Sequence, residues 1–319
     1  MADIPYIEDK FIQENTNFSQ LIQAIRDAFS MATVEVPLRH HHDFPNPKEG
    51  VDSTLLLMPA WNPGNDAGVK IVTVSPNNGK YDLPSIQGTY VYLDAHKGGV
   101  KAILDAKQLT AKRTAAASAL AASFLARKNA NSMLMIGTGA LAENLILAHA
   151  TVRSLEKVYI WGRSLEKAFK VKDQLSHQEF EIIPVGTIEE VISNVDIISC
   201  ATLSSTPLVH GHQLVAGQHI DLVGAYKKNM READDAAIKK SSVYLDTYQG
   251  GLNESGDIVI PLNTGILTES DIRADLFELC SGKNAGRRSN DQITLFKSVG
   301  HALEDLAAAT YYSNLFMNS

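Results

Sequence analysis

The chain has 319 residues, 45% of them apolar and 20% charged, with a formal net charge of −7. That length suits two domains, and the composition excludes wholesale disorder. The acidic balance, with no lysine–arginine cluster, argues against a nucleic-acid partner, and the lack of any run of about 18 apolar residues argues against a membrane span.

The opening Met1-Ala2-Asp3-Ile4-Pro5 lacks the basic start and apolar run of a secretory signal, so a cytoplasmic location is expected. A helix is predicted over 17–33, where Phe18, Leu21, Ile22, Ile25 and Phe29 share one face. Prolines then punctuate short apolar runs at 54–58, 69–74, 89–93 and 100–104, which read as strands joined by turns. An alanine-rich helix is predicted over 110–129, with Thr110 as its N-cap. From Ser132 strand-length apolar runs (132–136, 157–161, 195–201, 219–223, 242–245) alternate with helical segments (140–154, 165–178). That alternation predicts an α/β fold with a parallel sheet covered on both faces. The segment 291–318 reads as helical and returns to the first domain. The expected domains are 1–112 with 300–319, and 113–299.

The sharpest local signal is Gly137-Thr138-Gly139-Ala140-Leu141-Ala142, set between a buried strand and a helix start. Gly137 permits the tight turn, Gly139 admits a pyrophosphate close to the backbone, and Ala142 lets helix pack on strand. The helix N-terminus adds amide donors for phosphate. The cofactor expected is NADPH or NADH. The second strand ends Trp161-Gly162-Arg163-Ser164 with no acid to hold ribose hydroxyls. Arg163, Ser164 and Lys167 suit a 2′-phosphate instead, which tilts the expectation towards NADPH.

Three cations suggest an anionic substrate: Arg39, Lys70 and Arg113. Lys70 lies inside an apolar strand, costly without a partner. Arg113 falls in the first turn of the predicted alanine helix, unfavourable for a cation unless an anion pairs with it. The run His40-His41-His42 invites a metal, but consecutive strand residues cannot all face one ion and no metal-spaced partner follows, so no metal is expected. Cys200 and Cys280 sit in apolar contexts and read as core residues rather than as a disulfide or a nucleophile.

Six segments, in order, resemble the ornithine cyclodeaminase and mu-crystallin family: the stretches around Lys70, Arg113, Ile136-Gly137, Trp161-Gly162, Val223 to Glu232, and Ile293 to Gly300. The resemblance implies a Rossmann-type parallel-sheet domain plus a smaller α+β substrate-binding and dimerisation domain, and a homodimer. The family includes cyclodeaminases, alanine dehydrogenases, ketimine reductases and a hormone-binding protein. The resemblance implies that Arg39, Lys70 and Arg113 hold the substrate carboxylate and reacting nitrogen, with Lys70 catalytic. Ser85 stands where cyclodeaminases place a substrate-binding threonine. Further cofactor contacts are implied at Thr114, Thr138, Ala140, Leu141, Ala201, Thr202, Val223, Gly224, Val299 and Gly300. Cyclodeaminases carry a catalytic aspartate where this chain has Tyr226, after Gly224-Ala225. Members reducing Δ1-pyrroline-2-carboxylate are similar there, with an aromatic residue and a following Met-Arg-Glu. The activity implied is NAD(P)H-dependent reduction of a small cyclic imino acid to L-proline or L-pipecolate.

Overall fold

The computed structural model describes residues 4–319. Residues 1–3, the start of the expected first domain, lie outside the described residues. The chain begins with β1 (Tyr6–Ile7), α1 (Asp9–Glu14), α2 (Phe18–Met31), β2 (His40–Phe44), β3 (Ser53–Asn62), β4 (Asp66–Val74), β5 (Ile86–Asp94), β6 (Val100–Asp105) and α3 (Ala106–Leu125). It continues with β7 (Ser132–Ile136), α4 (Ala142–Val152), β8 (Lys157–Trp161), α5 (Leu165–Gln174), β9 (Glu181–Pro184), β10 (Ile197–Cys200), β11 (His219–Leu222), α6 (Asp235–Lys240) and β12 (Ser242–Leu245). It closes with α7 (Tyr248–Gly251), α8 (Gly256–Asn263), β13 (Ile272–Asp275), α9 (Leu276–Cys280), β14 (Thr294–Lys297) and α10 (Ala302–Met317). Contacts divide it into two units: residues up to Arg113 with Ala302–Ser319, and Thr114–His301.

In the first unit β2 to β6 form an antiparallel meander, and β1 joins β6 in parallel. The period of two along each strand separates the faces. Met58, Ala60, Lys70, Tyr90, Tyr92 and Leu104 are buried on one face, where α10 packs, and α2 adds its stripe of Phe18, Leu21, Ile22, Ile25 and Phe29. On the other face Leu57 pairs with Ile71 and Val69 with Val91, and all four are only half-buried.

The second unit is an α/β layer with eight parallel strands in the order β13-β12-β14-β11-β10-β7-β8-β9. Met133 to Ile136 are fully buried, as a central strand covered on both faces requires. The chain runs outward from β7 to β9 and then returns to β10 beside β7, so the strand order reverses there. A crevice opens at the carboxyl ends of strands at such a point.

Several boundaries differ from expectation. The alanine helix spans 106–125, and Thr110 lies inside it. Asp105 performs the capping, its Oδ1 accepting the Lys107 N–H at 2.9 Å. The segment 291–318 is not wholly helical: Thr294–Lys297 is a strand between β11 and β12, and α10 begins only after Gly300, whose φ is +83°. A short run buried on every side carries neither helical nor alternating period, which is why it escapes a periodicity argument. Cys200 is buried, but Cys280, at the end of α9, is only half-buried.

Two arginines hold the last carbonyls of α3. Arg153 Nη2 donates to the carbonyls of Ala122 (2.8 Å), Ser123 (3.1 Å) and Ala126 (2.7 Å), and its Nε to that of Arg127 (2.8 Å). Arg287 Nε donates to Leu125 O at 2.6 Å. Carbonyls at a helix end run short of helical partners; that of Ala122 also accepts the Ala126 N–H at 2.9 Å and that of Arg127 the Ala130 N–H at 3.1 Å, so Arg153 supplements the backbone there. Arg153→Leu is therefore expected to lower unfolding free energy by about 2–4 kcal/mol, since each buried acceptor left unsatisfied costs about 1–3 kcal/mol. Urea denaturation checks this, and a midpoint unchanged from the parent would refute it.

Candidate functional site

The glycine turn sits at the carboxyl end of β7. Gly137 has φ +121°, which L side chains rarely adopt, and a Cβ there would lie 2.6 Å from the Ala201 carbonyl oxygen. A Cβ on Gly162 would lie 2.7 Å from Thr138 Cγ2. Gly139 and Ala140 are exposed, and a Cβ on Gly139 would meet nothing within 4 Å. A cleft of about 600 Å³ lies over the turn, walled by Gly137 to Gly139, by Trp161 to Ser164 with Lys167, and by Ala201 to Ser204. Leu141, at the N-cap of α4, brings no side chain to the helix end, which leaves backbone N–H groups for an anion. A backbone cradle closed to side chains and a cleft of this size fit a dinucleotide.

Of the other expected cofactor residues, Arg163 and Lys167 are exposed on the cleft wall. Ser164 also caps α5, accepting the Lys167 N–H at 3.4 Å. Thr202 lines the cleft, whereas Thr114, Ala140, Leu141, Val223, Gly224, Val299 and Gly300 are not among the described residues of its wall. Thr114 is buried in α3, and the last four follow β11 and β14 at the same sheet edge.

Two carboxylates that the sequence argument does not anticipate hold those loops. Glu232 is fully buried and accepts the Thr202 N–H (2.6 Å) and hydroxyl (2.9 Å), the Gly224 N–H (2.8 Å) and the Ala225 N–H (3.2 Å). Its own N–H donates to Asp257 Oδ1 at 2.6 Å, and Lys297 Nζ reaches Asp257 Oδ2 at 3.0 Å. Asp246 accepts the N–H groups of Val299 (2.6 Å) and Gly300 (2.7 Å). Lys297 could have been found, since it shows the signal that singled out Lys70, a lysine inside an apolar strand. Burial and the neighbouring Glu232 push the Cys200 thiol well above its ordinary range, which suits packing and not nucleophilic attack.

The first unit holds a second charged centre. Lys70, 2% exposed on β4, donates to Asp305 Oδ1 at 2.8 Å. Arg113 Nε lies 2.9 Å from the same Asp305 oxygen, and its Nη1 donates to Glu304 Oε2 at 2.6 Å. Burial, and then Arg113, bring Lys70 down to about 8 against the opposing pull of Asp305, with Arg39 adding to the lowering. Asp305 lies below its usual range because Arg113 and Lys70 outweigh its burial. Arg113 is the eighth residue of α3, counted from Ala106, and not in the first turn. The helix-end argument for its anion therefore fails, although two anions are present. Lys70 likewise has a partner within the protein.

Lys70 and Arg113 are thus brought together, with half-buried Arg39 in electrostatic reach. Ser85 stands apart: it is exposed ahead of β5, and its carbonyl accepts the Ser75 N–H at 2.8 Å. Tyr226 is half-buried after β11, with Lys227 Nζ 5.6 Å from its ring centre. His41 pairs with Asp43 at 3.1 Å while the His40 and His42 rings meet edge to face.

The two turn glycines should respond differently to a methyl group. Gly137→Ala is expected to lower the melting temperature by several degrees, since unfavourable backbone and contact terms of about 1–3 kcal/mol are involved. Gly139→Ala is expected to leave it within about a degree, because its Cβ enters open space. Equal melting temperatures for the two variants, by calorimetry, would contradict the geometry.

The sequence profile of the Ornithine cyclodeaminase/mu-crystallin family matches residues 8–317. A Delta(1)-pyrroline-2-carboxylate reductase of Colwellia psychrerythraea is 36% identical over 303 residues, covering 93% of this chain and 95% of that protein. The structure of Thermococcus litoralis Delta(1)-pyrroline-2-carboxylate reductase in complex with NADH and L-proline superposes with a TM-score of 0.91 at 31% identity, over 99% of this chain and 98% of that one. An archaeal alanine dehydrogenase dimer with bound NAD gives a TM-score of 0.90 at 25% identity, over 99% and 97% of the two chains. The fold, the glycine turn and these likenesses agree along the whole described chain, which belongs to the ornithine cyclodeaminase/mu-crystallin family.

Proposed function

We propose that this chain reduces a small cyclic ketimine acid, Δ1-pyrroline-2-carboxylate or its six-membered homologue, to the corresponding L-imino acid. The observation that carries the proposal is the buried Lys70–Arg113 centre with Arg39 in electrostatic reach, which sets a lysine able to protonate nitrogen beside two arginines able to hold a carboxylate. Its relatives named for this reaction support it, and so does the neighbour that holds NADH and L-proline. Tyr226 supports reduction over deamination, because no carboxylate stands there to activate a substrate amine.

NADPH or NADH, when bound, supplies hydride to the C=N carbon. Gly137, Thr138 and Gly139 would carry its pyrophosphate, and Thr202 and Gly224, held by Glu232, would support the nicotinamide end. Arg163 and Lys167, the exposed cations on the cleft wall, would take a 2′-phosphate. In the first unit Arg39 and Arg113 clamp the substrate carboxylate, which fixes the ring face presented for reduction. Lys70 gives a proton to the ring nitrogen. Ser85 adds a hydroxyl contact. A second copy of the chain covers the half-buried apolar face carrying Leu57, Val69, Ile71 and Val91, as the dimeric neighbour suggests.

Purified protein should consume NADPH absorbance at 340 nm with either cyclic imine. Lys70→Met should lose about 10²–10⁴-fold in kcat/KM, the usual range for a lost general acid. No turnover of either imine, or ammonia release from ornithine in its place, would sink the proposal. Arg163→Ala should raise KM for NADPH roughly tenfold, about 1.4 kcal/mol, and leave NADH unaffected. Light scattering should give a dimer, and Ile71→Asp a monomer.

A further inference from the structure

Glu304 and Asp305 are consecutive acids in the first turn of α10, fully buried on a helix whose other buried residues are alanines, leucines, Tyr312 and Ser313. Neither is consumed by imine reduction. One Asp305 oxygen is shared between Lys70 of β4 and Arg113 of α3, at 2.8 and 2.9 Å, and Glu304 takes another arm of Arg113 at 2.6 Å. The amino end of α10 favours both negative charges. We infer that this acid pair is a positioning device for the reaction: Asp305 holds Lys70 charged and aimed, and Glu304 holds Arg113 in register for the substrate carboxylate.

The inference rests on the imine-reduction proposal and deepens it. Lys70, Arg113 and Arg39 set three positive charges against two carboxylates. The groups facing Lys70 are Asp305 from α10, Arg113 from α3 and Arg39 ahead of β2, with Glu304 held one step away on Arg113. Tyr90 of β5 stands across the strand from it, within the field of Asp305, Tyr92 and Asp66. The reduced dinucleotide, when bound, would supply hydride to the imine carbon, and the C=N π electrons would pass to nitrogen. Nitrogen takes its proton from Lys70 Nζ, which is recharged from water. The amine and the oxidised dinucleotide leave.

Only the ammonium form of Lys70 can donate. It is present below about 8 and is lost as pH rises through that value. Burial and the two arginines push towards loss of the proton, and Asp305 is the anion in direct contact that opposes them. Asp305→Asn keeps the shape and removes the charge. It should move the Lys70 titration to lower pH by at least about one unit, the effect of an opposite charge within hydrogen-bond range.

The test follows the Cε–H signals of ¹³C-labelled lysine by NMR, with the Lys70 signal assigned by its loss in Lys70→Arg. Parent and Asp305→Asn proteins are titrated without substrate, and the alkaline limb of kcat/KM for imine reduction is measured alongside. Both midpoints should fall together in Asp305→Asn, and Asp305→Glu should recover most of the shift. An unmoved Lys70 midpoint in folded Asp305→Asn overturns the inference. If Asp305→Asn does not fold, Glu304→Gln serves: it leaves Arg113 less neutralised, so the midpoint should again fall, by less, and an unchanged midpoint overturns the inference. A shifted midpoint in a protein without imine turnover would uphold the Asp305–Lys70 coupling and discard the imine reaction.

Discussion

Two buried cations, one on an apolar sheet face and one on the helix that follows the sheet, are the constraint around which the first unit is built. A lysine or arginine removed from water without partners costs far more than a small domain can absorb, and deleting one member of a buried pair typically costs about 3–5 kcal/mol. Lys70 and Arg113 come from a strand and a helix that cannot neutralise them locally. The anions arrive from the far end of the chain, 235 residues after Lys70 and 191 after Arg113. The last helix thus joins the first sheet through charge pairing as well as apolar contact, and the unit's two chain segments are tied at its most polar point.

The second unit uses carboxylates differently. Glu232 and Asp246 gather backbone N–H groups from loops that follow β10, β11 and β14. Loops at strand ends are ordinarily the most mobile parts of a parallel-sheet domain. Anchoring them to buried acids, one of which lies near Lys297 and Asp257, gives them fixed geometry without filling the cleft.

Much of this was legible in the sequence, for stated reasons. The glycine turn announces itself because Gly137 needs a backbone conformation that few residues tolerate. Lys70 stands out because a lysine breaks an apolar run. Arg113 was visible as a residue but misplaced within its helix, because Thr110 looked like a cap while Asp105 served as one. Glu304, Asp305 and Asp257 left no local trace, because their meaning lies in partners distant along the chain, and Glu232 appeared only within a matching segment, with no role attached. β14 was hidden for a complementary reason, since a central strand walled on all sides has no period to detect.

The histidine run also shapes the edge of the first sheet. β2 is the outer strand of the first sheet, and all five of its residues, His40 to Phe44, are exposed. An outer strand offers unpaired amides to any extended segment, the route by which sheets polymerise into fibrils. Four imidazole and carboxylate side chains in succession make that edge bulky, hydrated and poorly self-complementary. The strand that borders Arg39 thereby terminates its sheet, protecting the protein against adding further chains to it.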